Sequence, residues 1–323
     1  MIERARTIFL GSGSFAVPIA EALAGHPSVN LIAAVTAPTR PGSRGRPTDP
    51  PVADWATERG LPMLRPARLR DSESIEEVAQ LRPELLVLAD YGQIVPAALL
   101  KMPRHGALNL HPSLLPRHRG ASPIAATILD GDPETGVSLM RMNAGLDTGP
   151  LIAQARRVLA GNETAPLLEA ELSHAAAGLL ARTLDDWLSG TLTASPQPAE
   201  GATLTRPLRR EDGRLNPEQA AARLERQVRA YQPWPGSFID TPEGRVVVWR
   251  ARVADSTQPS PGTLVRTDDD GLGLATSDGL LELSEVQPAG GRRMSGAELL
   301  RGRPSLAGAS VRSSSEAPKA ASA

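Results

Sequence analysis

The chain of 323 residues contains no cysteine, only two lysines and 3% aromatic residues. Without cysteine, the protein cannot form disulfides, use a thiol nucleophile, or hold zinc or an iron–sulfur cluster through thiolates. No apolar run reaches the ~18 residues that a membrane-spanning helix needs. The first strand-like run is also too short for a secretory signal. These features lead us to expect a soluble, cytoplasmic protein.

The two signs of charge nearly cancel, with 35 Lys and Arg against 36 Asp and Glu. A balanced charge provides no general attraction for nucleic acid, so an RNA partner would have to be held by local patches. The low aromatic content argues against a protein that only binds RNA, because it offers few surfaces for base stacking. The five histidines are scattered without metal-ligand spacing, and we therefore expect no metal.

The first half of the chain alternates short apolar runs with helical segments. The runs that predict strands are Thr7–Leu10, Val29–Thr36, Leu85–Leu88 and Ala107–Leu110. Helices are predicted over Val17–Ala24 and Pro51–Arg59. Strands that alternate with helices predict an α/β domain with a parallel sheet covered on both faces, whose ligands bind at the carboxyl ends of the strands.

The second half has a different pattern. Helical periodicity runs from Glu163 to Trp187, and a non-periodic segment rich in Pro, Thr and Ala follows. Asn216 and Pro217 predict a helix start, as a side-chain cap and a first-position proline. Beyond Pro235, several short β runs with Asp-Gly turns and no intervening helices predict a small barrel. We therefore expect four parts: a domain at 1–190, a linker at 191–206, a second domain at 207–312 and a disordered tail at 313–323.

A glycine-rich turn, Gly11–Ala16 (GSGSFA), follows the first predicted strand. It matches a dinucleotide-binding fingerprint with alanine in the third place, but the acid expected ~20 residues later to hold a ribose hydroxyl is missing. Arg40 offers a substitute that would bind a 2′-phosphate. An NADP-dependent oxidoreductase is thus one alternative, and a tight packing turn is the other.

A polar pair at the end of the fourth predicted strand is more informative. Asn109 and His111 are two residues apart, so their side chains point to the same face. An amide donor beside an imidazole can hold an oxyanion and move a proton at one centre. A packed histidine without chemistry is the alternative. The other histidines lack such a pairing, and we assign them no chemistry: His26, His105, His118 and His174.

One acid and two groups of arginines complete the candidates. Asp147 lies in a glycine-flanked loop, where an aspartate is either a turn former or a functional acid close to His111. The arginines stand in the 37–49 loop and around the linker, and together they could contact a phosphate backbone. They are Arg40, Arg44, Arg46, Arg206, Arg209, Arg210 and Arg214.

Two segments resemble the folate-dependent formyltransferases. They are Asn109–Ile124 (NLHPSLLPRHRGASPI) and Asp132–Leu151 (DPETGVSLMRMNAGLDTGPL). GSGSFA, RPGSRGRP and DYGQIVP in the first half fit the same family. In the second half, AYQPWPGSF and LSEVQPAGGRRMSGAELLRG are similar to the C-terminal domain of the methionyl-tRNA formyltransferases.

The resemblance implies a Rossmann-like formyltransferase domain followed by a small OB-like β-barrel that touches tRNA. It implies transfer of the formyl group of 10-formyltetrahydrofolate to the free amino group of methionine on initiator tRNA, for translation initiation. The expected partners are therefore 10-formyltetrahydrofolate as co-substrate and initiator Met-tRNA. We expect the enzyme to be a monomer that uses no membrane and no metal.

The resemblance also implies roles for particular residues. The catalytic residues would be Asn109, His111 and Asp147. Folate contacts would come from two segments, with the residues Ser113, Leu114, Leu115, Pro116, Leu88, Tyr91, Gly92 and Ile94. The tRNA contacts would be Arg40, Arg44, Arg46, Arg206 and Arg209.

The chain departs from the family pattern at Asp90, where alanine is expected, and at Pro207, where a lysine is common. A formyltransferase acting on an amino-sugar nucleotide or another small amine would share the three catalytic residues. Such relatives generally lack the PWPG and QPAG segments, so the second half of the chain favours the tRNA enzyme.

Overall fold

The computed structural model describes residues 4–41, 47–254 and 260–311. The described residues form two compact units. The first contains those of Met1–Pro123, Glu134–Leu159 and Leu167–Arg206, and the second those of Ile124–Pro133, Ala160–Pro166 and Pro207–Ala323. The predicted tail at 313–323 and residues 42–46 lie outside the described residues.

The helices of the described chain are α1 Ala16–Ala24, α2 Pro51–Glu58, α3 Ser72–Gln80, α4 Ala97–Lys101, α5 Pro123–Asp130, α6 Ala165–Ser189, α7 Ala221–Ala230 and α8 Gly296–Gly302. Short 3-10 helices cover Arg210–Gly213 and Pro304–Leu306. The strands are β1 Ala5–Gly11, β2 Val29–Val35, β3 Arg40–Pro41, β4 Pro47–Thr48, β5 Met63–Leu64, β6 Leu85–Ala89, β7 Ala107–His111, β8 Arg119–Gly120, β9 Glu134–Arg141, β10 Leu151–Val158, β11 Leu204–Thr205, β12 Ser237–Thr241, β13 Gly244–Ala254, β14 Leu264–Arg266, β15 Leu272–Ala275, β16 Leu280–Pro288 and β17 Met294–Ser295.

The first unit contains a seven-stranded sheet in the order β10-β9-β7-β6-β1-β2-β5. The strands from β7 to β5 are parallel, whereas β9 runs antiparallel to both β7 and β10. The prediction of a parallel sheet is therefore confirmed for the strands from β7 to β5, and the antiparallel strands β9 and β10 extend one edge.

The strands β1 and β6 are largely apolar, and β7 is buried along its whole length, because all three lie in the middle of this sheet. Ile8 and Leu10 of β1 and Leu86 of β6 are at most 1% exposed and share one apolar cluster with Val78 of α3 and Leu99 of α4. The sheet centre is therefore tightly packed, and the C-terminal ends of the parallel strands β6 and β7 lie side by side.

The predicted long helix is present as α6, with Leu168, Leu172, Ala176 and Leu179 on its buried side. The 191–206 segment that follows it belongs to the first unit and is hydrogen-bonded to other parts of that unit. Its backbone forms a bridge between Ser195 and Leu151, with both N–H···O distances at 2.7 Å, and β11 pairs in parallel with β8.

The second unit is built on antiparallel strands in the order β12-β13-β16-β15-β14, with β17 paired to β16. Leu224 and Val228 of α7 pack in one apolar cluster with Val246, Val248 and Leu281 of the sheet. The predicted fold class is thus confirmed: a Rossmann-like domain is followed by a small domain of antiparallel strands.

The predicted helix start at Asn216 and Pro217 is wrong, since α7 begins at Ala221. Oδ1 of Asn216 accepts a hydrogen bond of 3.2 Å from the N–H of Glu218, which closes a local turn. Ala220 then has an extended backbone, with φ −62° and ψ 145°. The side chain of Asn216 forms a turn here because asparagine can bond the backbone two residues on without any helix following.

Across the described residues, none of the helices combines the length and the apolar character needed to cross a membrane.

Candidate active site

Asn109 and His111 lie on β7, where it leaves the centre of the first unit's sheet. They are 6% and 5% exposed, so both polar side chains are buried. Their backbones pair with Met140 and Ser138 of β9, which fixes the register of the strand. Because the two residues are separated by one position on a strand, their side chains share a face. The sheet thus presents an amide and an imidazole together.

The loop after β9 brings Asp147 to this pair. Oδ1 of Asp147 lies 3.4 Å from Nδ2 of Asn109, and Oδ2 lies 3.7 Å from Nδ1 of His111. Oδ2 also accepts a hydrogen bond of 2.8 Å from the backbone N–H of Gly120. The three side chains proposed from the sequence are therefore brought together, although Asn109 and Asp147 are 38 positions apart along the chain.

The backbone of Asp147 has φ 50°, in the left-handed region that few residues other than glycine adopt. Two features of the loop stabilise this conformation. Gly149, two residues further on, packs so closely that a Cβ there would lie 1.9 Å from the carbonyl oxygen of Arg141. Gln197 also donates to the carbonyl oxygens of Asp147 and Gly149, at 2.8 and 2.7 Å.

The imidazole of His111 has one defined hydrogen-bond partner. Nε2 lies 2.8 Å from the backbone carbonyl oxygen of His118. A carbonyl oxygen only accepts, so Nε2 carries the hydrogen and donates it. Nδ1 therefore faces the Asp147 carboxylate, and a proton or a donor group placed between them would bond to both.

The turn after β7, which the sequence assigns to folate, is held by Ser138 and Gln154 from the neighbouring strands. Oγ of Ser138 donates to the carbonyl oxygen of Ser113 at 2.7 Å and accepts from the N–H of Leu115 at 3.0 Å. Nε2 of Gln154 donates to the carbonyl oxygen of Leu115 at 3.0 Å. Ser113 and Leu115 are buried, whereas Leu114 and Pro116 are half-buried. Leu114 and Pro116 are therefore the members of the turn that a ligand can reach.

The loop after β6 contains the other predicted folate residues. Tyr91 is 2% exposed in the apolar cluster with Ile8 and Leu10, and burial raises the pKa of its hydroxyl to about 12. Leu88 packs against the same cluster, whereas Ile94 is 86% exposed. Ile94 is thus the large apolar side chain of this loop that is free to contact a ligand. Gly92, also exposed, has φ 78° and forms the bend.

Asp90 introduces a carboxylate beside the glycine-rich turn. The N–H groups of Ser12 and Gly13 donate to the carbonyl oxygen of Asp90, at 2.9 and 3.4 Å. A Cβ on Gly13 would lie 1.8 Å from Oδ2 of Asp90, so glycine leaves the space that the carboxyl fills. Asp90 is exposed as a whole residue, and partial desolvation of its carboxyl together with the nearby negative Glu169 raises its pKa to about 6.

This arrangement bears on the dinucleotide alternative. Phosphate binding requires free N–H groups at such a turn. Here the N–H groups of Ser12 and Gly13 are used by Asp90, and a carboxylate occupies the adjacent space. The turn therefore packs α1 against the sheet, and the NADP alternative loses its support.

Among the arginines predicted to contact tRNA, Arg206 and Arg209 are exposed. Arg44 and Arg46 lie outside the described residues, as does the side chain of Arg40. The backbone of Arg40 takes part in a short antiparallel pairing of β3 with β4.

Sequence reasoning missed the backbone groups and the linker residues that complete the site. His118 was assigned no chemistry, yet its carbonyl oxygen orients His111. Gly120 supplies the N–H that holds Asp147, and Gln197 binds the loop that carries Asp147. The described residues contain no group of three or more His, Cys, Asp or Glu arranged to hold a metal ion.

Two protein-family models match the chain. The model described as formyl transferase matches residues 5–184. The model described as formyl transferase, C-terminal domain, matches residues 207–304.

Curated relatives match along nearly the whole chain. A methionyl-tRNA formyltransferase from Myxococcus xanthus is 41% identical over 302 residues, which is 93% of this chain and 96% of the relative. A methionyl-tRNA formyltransferase from Thermus thermophilus is 43% identical over 299 residues, which is 92% of this chain and 96% of the relative.

Solved structures share the fold at lower identity. An N-formyltransferase from Helicobacter canadensis, solved with folinic acid and dTDP-3-aminofucose, superposes with a TM-score of 0.62 at 15% identity, covering 86% of this chain and 98% of that protein. HypX from Aquifex aeolicus, solved with tetrahydrofolic acid, superposes with a TM-score of 0.60 at 16% identity, and the match covers 92% of this chain. The chain spans 47% of the length of HypX. Since both family models and the curated relatives extend through both domains, the chain belongs to the methionyl-tRNA formyltransferase family.

Proposed function

We propose that this protein transfers the formyl group of 10-formyltetrahydrofolate to the α-amino group of methionine on initiator Met-tRNA, and so prepares the tRNA for translation initiation. The observation that carries this proposal is the identity of 41–43% to methionyl-tRNA formyltransferases over 92–93% of the chain. The juxtaposition of Asn109, His111 and Asp147 at the carboxyl end of β7 supports it, because formyl transfer needs an oxyanion donor and a proton acceptor at one point.

Asn109 serves as the oxyanion donor. When the amine attacks the formyl carbon, a C–N bond forms and the carbonyl oxygen takes up negative charge. Nδ2 of Asn109 has a long hydrogen bond of 3.4 Å to Asp147, which leaves donor capacity for that oxygen. Since Asn109 is 6% exposed, the hydrogen bond forms where water competes little.

Asp147 and His111 handle the protons. The methionyl ammonium must lose one proton before it attacks, and the amine loses a second as the intermediate collapses. Asp147 accepts a proton from the amine, directly or through water, and His111 faces the same carboxylate oxygen at 3.7 Å. As the bond from the formyl carbon to N10 breaks, N10 takes one proton and the other leaves to solvent, so the charges balance.

The turn Ser113–Pro116 and the loop from Leu88 to Ile94 bind the folate. Leu114 and Pro116 are the accessible members of the turn, and Ile94 is exposed on the loop. An apolar wall of this kind suits the flat ring of a folate, while backbone groups of the two segments select it.

The tRNA contacts come from the arginines, including Arg40, Arg44 and Arg46 of the 37–49 loop and Arg206 and Arg209 after the catalytic domain. Their charges neutralise phosphates and position the acceptor end. We assign catalysis to residues 1–190 and tRNA binding to an OB-like domain at 207–312. The enzyme acts as a monomer in the cytoplasm, where initiator tRNA is charged and used.

The alternative substrate is an amino-sugar nucleotide, the kind of molecule bound in the Helicobacter canadensis structure. A label-transfer assay distinguishes the two. Formyl-labelled 10-formyltetrahydrofolate is incubated with Met-tRNA, free methionine, uncharged tRNA or a dTDP-amino sugar. We expect label on Met-tRNA alone. Label on the amino sugar with none on Met-tRNA would replace the proposed function by the alternative.

A further inference from the structure

Gln197 lies in the 191–206 segment, which follows α6 within the first unit and whose sequence has no helical or strand periodicity. Its carboxamide is fully used. Nε2 donates to the carbonyl oxygens of Asp147 and Gly149, at 2.8 and 2.7 Å. Oε1 accepts from Nε and Nη2 of Arg119, at 3.1 and 2.7 Å. One half-buried side chain therefore joins the loop of Asp147 to the strand β8.

The two segments that Gln197 joins position the catalytic side chains of Asp147 and His111. The Asp147 carboxylate accepts from the N–H of Gly120, the residue after Arg119, at 2.8 Å. The His118 carbonyl oxygen, one residue before Arg119, fixes Nε2 of His111 at 2.8 Å. A shift of Arg119 relative to the Asp147 loop would therefore change the distances between His111, Asp147 and the substrate amine.

The rest of the segment keeps Gln197 in place. On one side, Ser195 forms a two-hydrogen-bond bridge with Leu151. On the other, the carbonyl oxygen of Thr203 accepts from the N–H of Arg119 at 2.9 Å, and Oγ1 of Thr203 accepts from the N–H of His118 at 2.8 Å. The segment is thus anchored before and after Gln197, on the same two pieces of chain that the carboxamide joins.

Asp147 also depends on such support for its backbone. A non-glycine residue at φ 50° persists only where its surroundings hold it there. Gln197 binds the carbonyl of Asp147 itself and that of Gly149, on either side of Thr148. Without these two hydrogen bonds, the loop conformation that directs the carboxylate at Gly120 and His111 would be less stable.

We propose that Gln197 is a positioning residue for formyl transfer, which ties the Asp147 loop to Arg119 and so sets the distance between Asp147 and His111. The proposal rests on the proposed function, since it assigns Asp147 the proton-accepting role. Gln197 does not touch the reacting atoms. Its removal therefore changes the rate of the bound complex more than the binding of either substrate.

The test compares Gln197→Leu with wild type in steady-state transfer to Met-tRNA. Leucine is close to glutamine in size and removes the four hydrogen bonds to Asp147, Gly149 and Arg119. We expect kcat to fall at least ~10-fold, because small displacements of catalytic groups are costly to rate, while KM for each substrate stays within about twofold. A matched control is Gln227→Leu, which removes a carboxamide that likewise donates to two backbone carbonyls, those of Asp212 and Arg214, in the second unit. Its kcat should stay within twofold.

A double substitution separates positioning from general support of the fold. If Gln197 acts through Asp147, Gln197→Leu should have little further effect on kcat in an Asp147→Asn background. Additive losses in the double variant would overturn the proposal. So would an unchanged kcat in Gln197→Leu when wild type transfers formyl normally. Absence of transfer by wild type would instead overturn the proposed function.

Gln197→Glu provides a second test, which also serves if the leucine variant does not fold. A carboxylate keeps the acceptor for Arg119 but cannot donate to the Asp147 and Gly149 carbonyls, whereas a protonated carboxyl can donate one hydrogen bond. We expect the ratio of the variant's kcat to that of wild type to rise as pH falls. A ratio that is constant with pH and close to one would contradict the positioning role.

Discussion

Nε2 of His111 donates a hydrogen bond of 2.8 Å to the backbone carbonyl oxygen of His118, seven residues further along the chain. The ring is thereby fixed with Nδ1 towards Asp147, at 3.7 Å from Oδ2. We expect His111→Ala to lower kcat at least ~10²-fold, the usual loss when a positioned proton-handling group is removed. Initial rates with saturating Met-tRNA measure it. Near-normal turnover would show that His111 is only a packed side chain.

Asn109 is expected to contribute through its amide hydrogen. Asn109→Ala should reduce kcat ~10²-fold, because one donor to a developing oxyanion is lost. Asn109→Asp should be no better, since it replaces the donor with a second carboxylate beside Asp147. The KM for 10-formyltetrahydrofolate should change little in either variant. A loss confined to KM would place Asn109 in substrate binding and not in transition-state stabilisation.

Asp147→Asn isolates the charge of the carboxylate. The amide oxygen still accepts from the Gly120 N–H, so the loop keeps the contact observed at 2.8 Å. Loss of the proton acceptor should lower kcat ~10²-fold or more with little change in the melting temperature. Asp54→Asn, at an exposed position of α2, is the control and should retain activity. Equal activity in both variants would remove Asp147 from the mechanism.

Much of the fold could be predicted from sequence because its apolar runs are strands buried on both faces. β1, β6 and β7 were each located to within two residues, and the pair Asn109 and His111 was placed correctly at the end of β7. Such strands produce a strong local signal, and a spacing of two fixes the shared face.

The remaining contacts of the site produce no comparable signal in the amino-acid sequence. The N–H of Gly120 and the carbonyl of His118 are backbone groups that almost every residue carries, so residue type does not reveal them. Gln197 reaches the Asp147 loop across 50 positions of sequence. The start of α7 was misplaced for a related reason, since an asparagine favours a turn and a helix cap equally.

Asp90 should make the stability of the fold depend on pH. Its pKa is raised from 3.8 to about 6 in the folded protein, so between these values the folded state keeps a proton that the unfolded chain has released. Stability therefore falls as pH rises through this window and stays lower above it. Asp90→Asn should remove this component of the slope and raise the melting temperature at pH 7.5 relative to wild type. Melting curves from pH 4 to 8 measure this, with Asp54→Asn as control. An identical slope in the Asp90 variant would show that this carboxyl titrates normally.

Arg44 tests the proposed contact of the 37–49 loop with tRNA. Each phosphate that a side chain neutralises contributes roughly 0.7–0.9 to the slope of log affinity against log salt. Arg44→Ala, and likewise Arg40→Ala, should weaken Met-tRNA binding and reduce this slope by about that amount, with kcat at saturating tRNA largely retained. Arg59→Ala is a suitable control because Arg59 already pairs with Glu21. An unchanged salt slope would mean that the loop does not meet phosphate.

The most direct measurement is a single turnover of formyl transfer by rapid quench, with enzyme in excess over labelled 10-formyltetrahydrofolate and Met-tRNA present at saturation. Wild type should place the label on the methionyl amine, recovered as formylmethionine after hydrolysis of the tRNA ester. The Asn109→Ala, His111→Ala double variant should bind both substrates yet transfer the label at least ~10²-fold more slowly. Transfer at the wild-type rate by the double variant would contradict the assigned site. Failure of wild type to label Met-tRNA would contradict the proposed function.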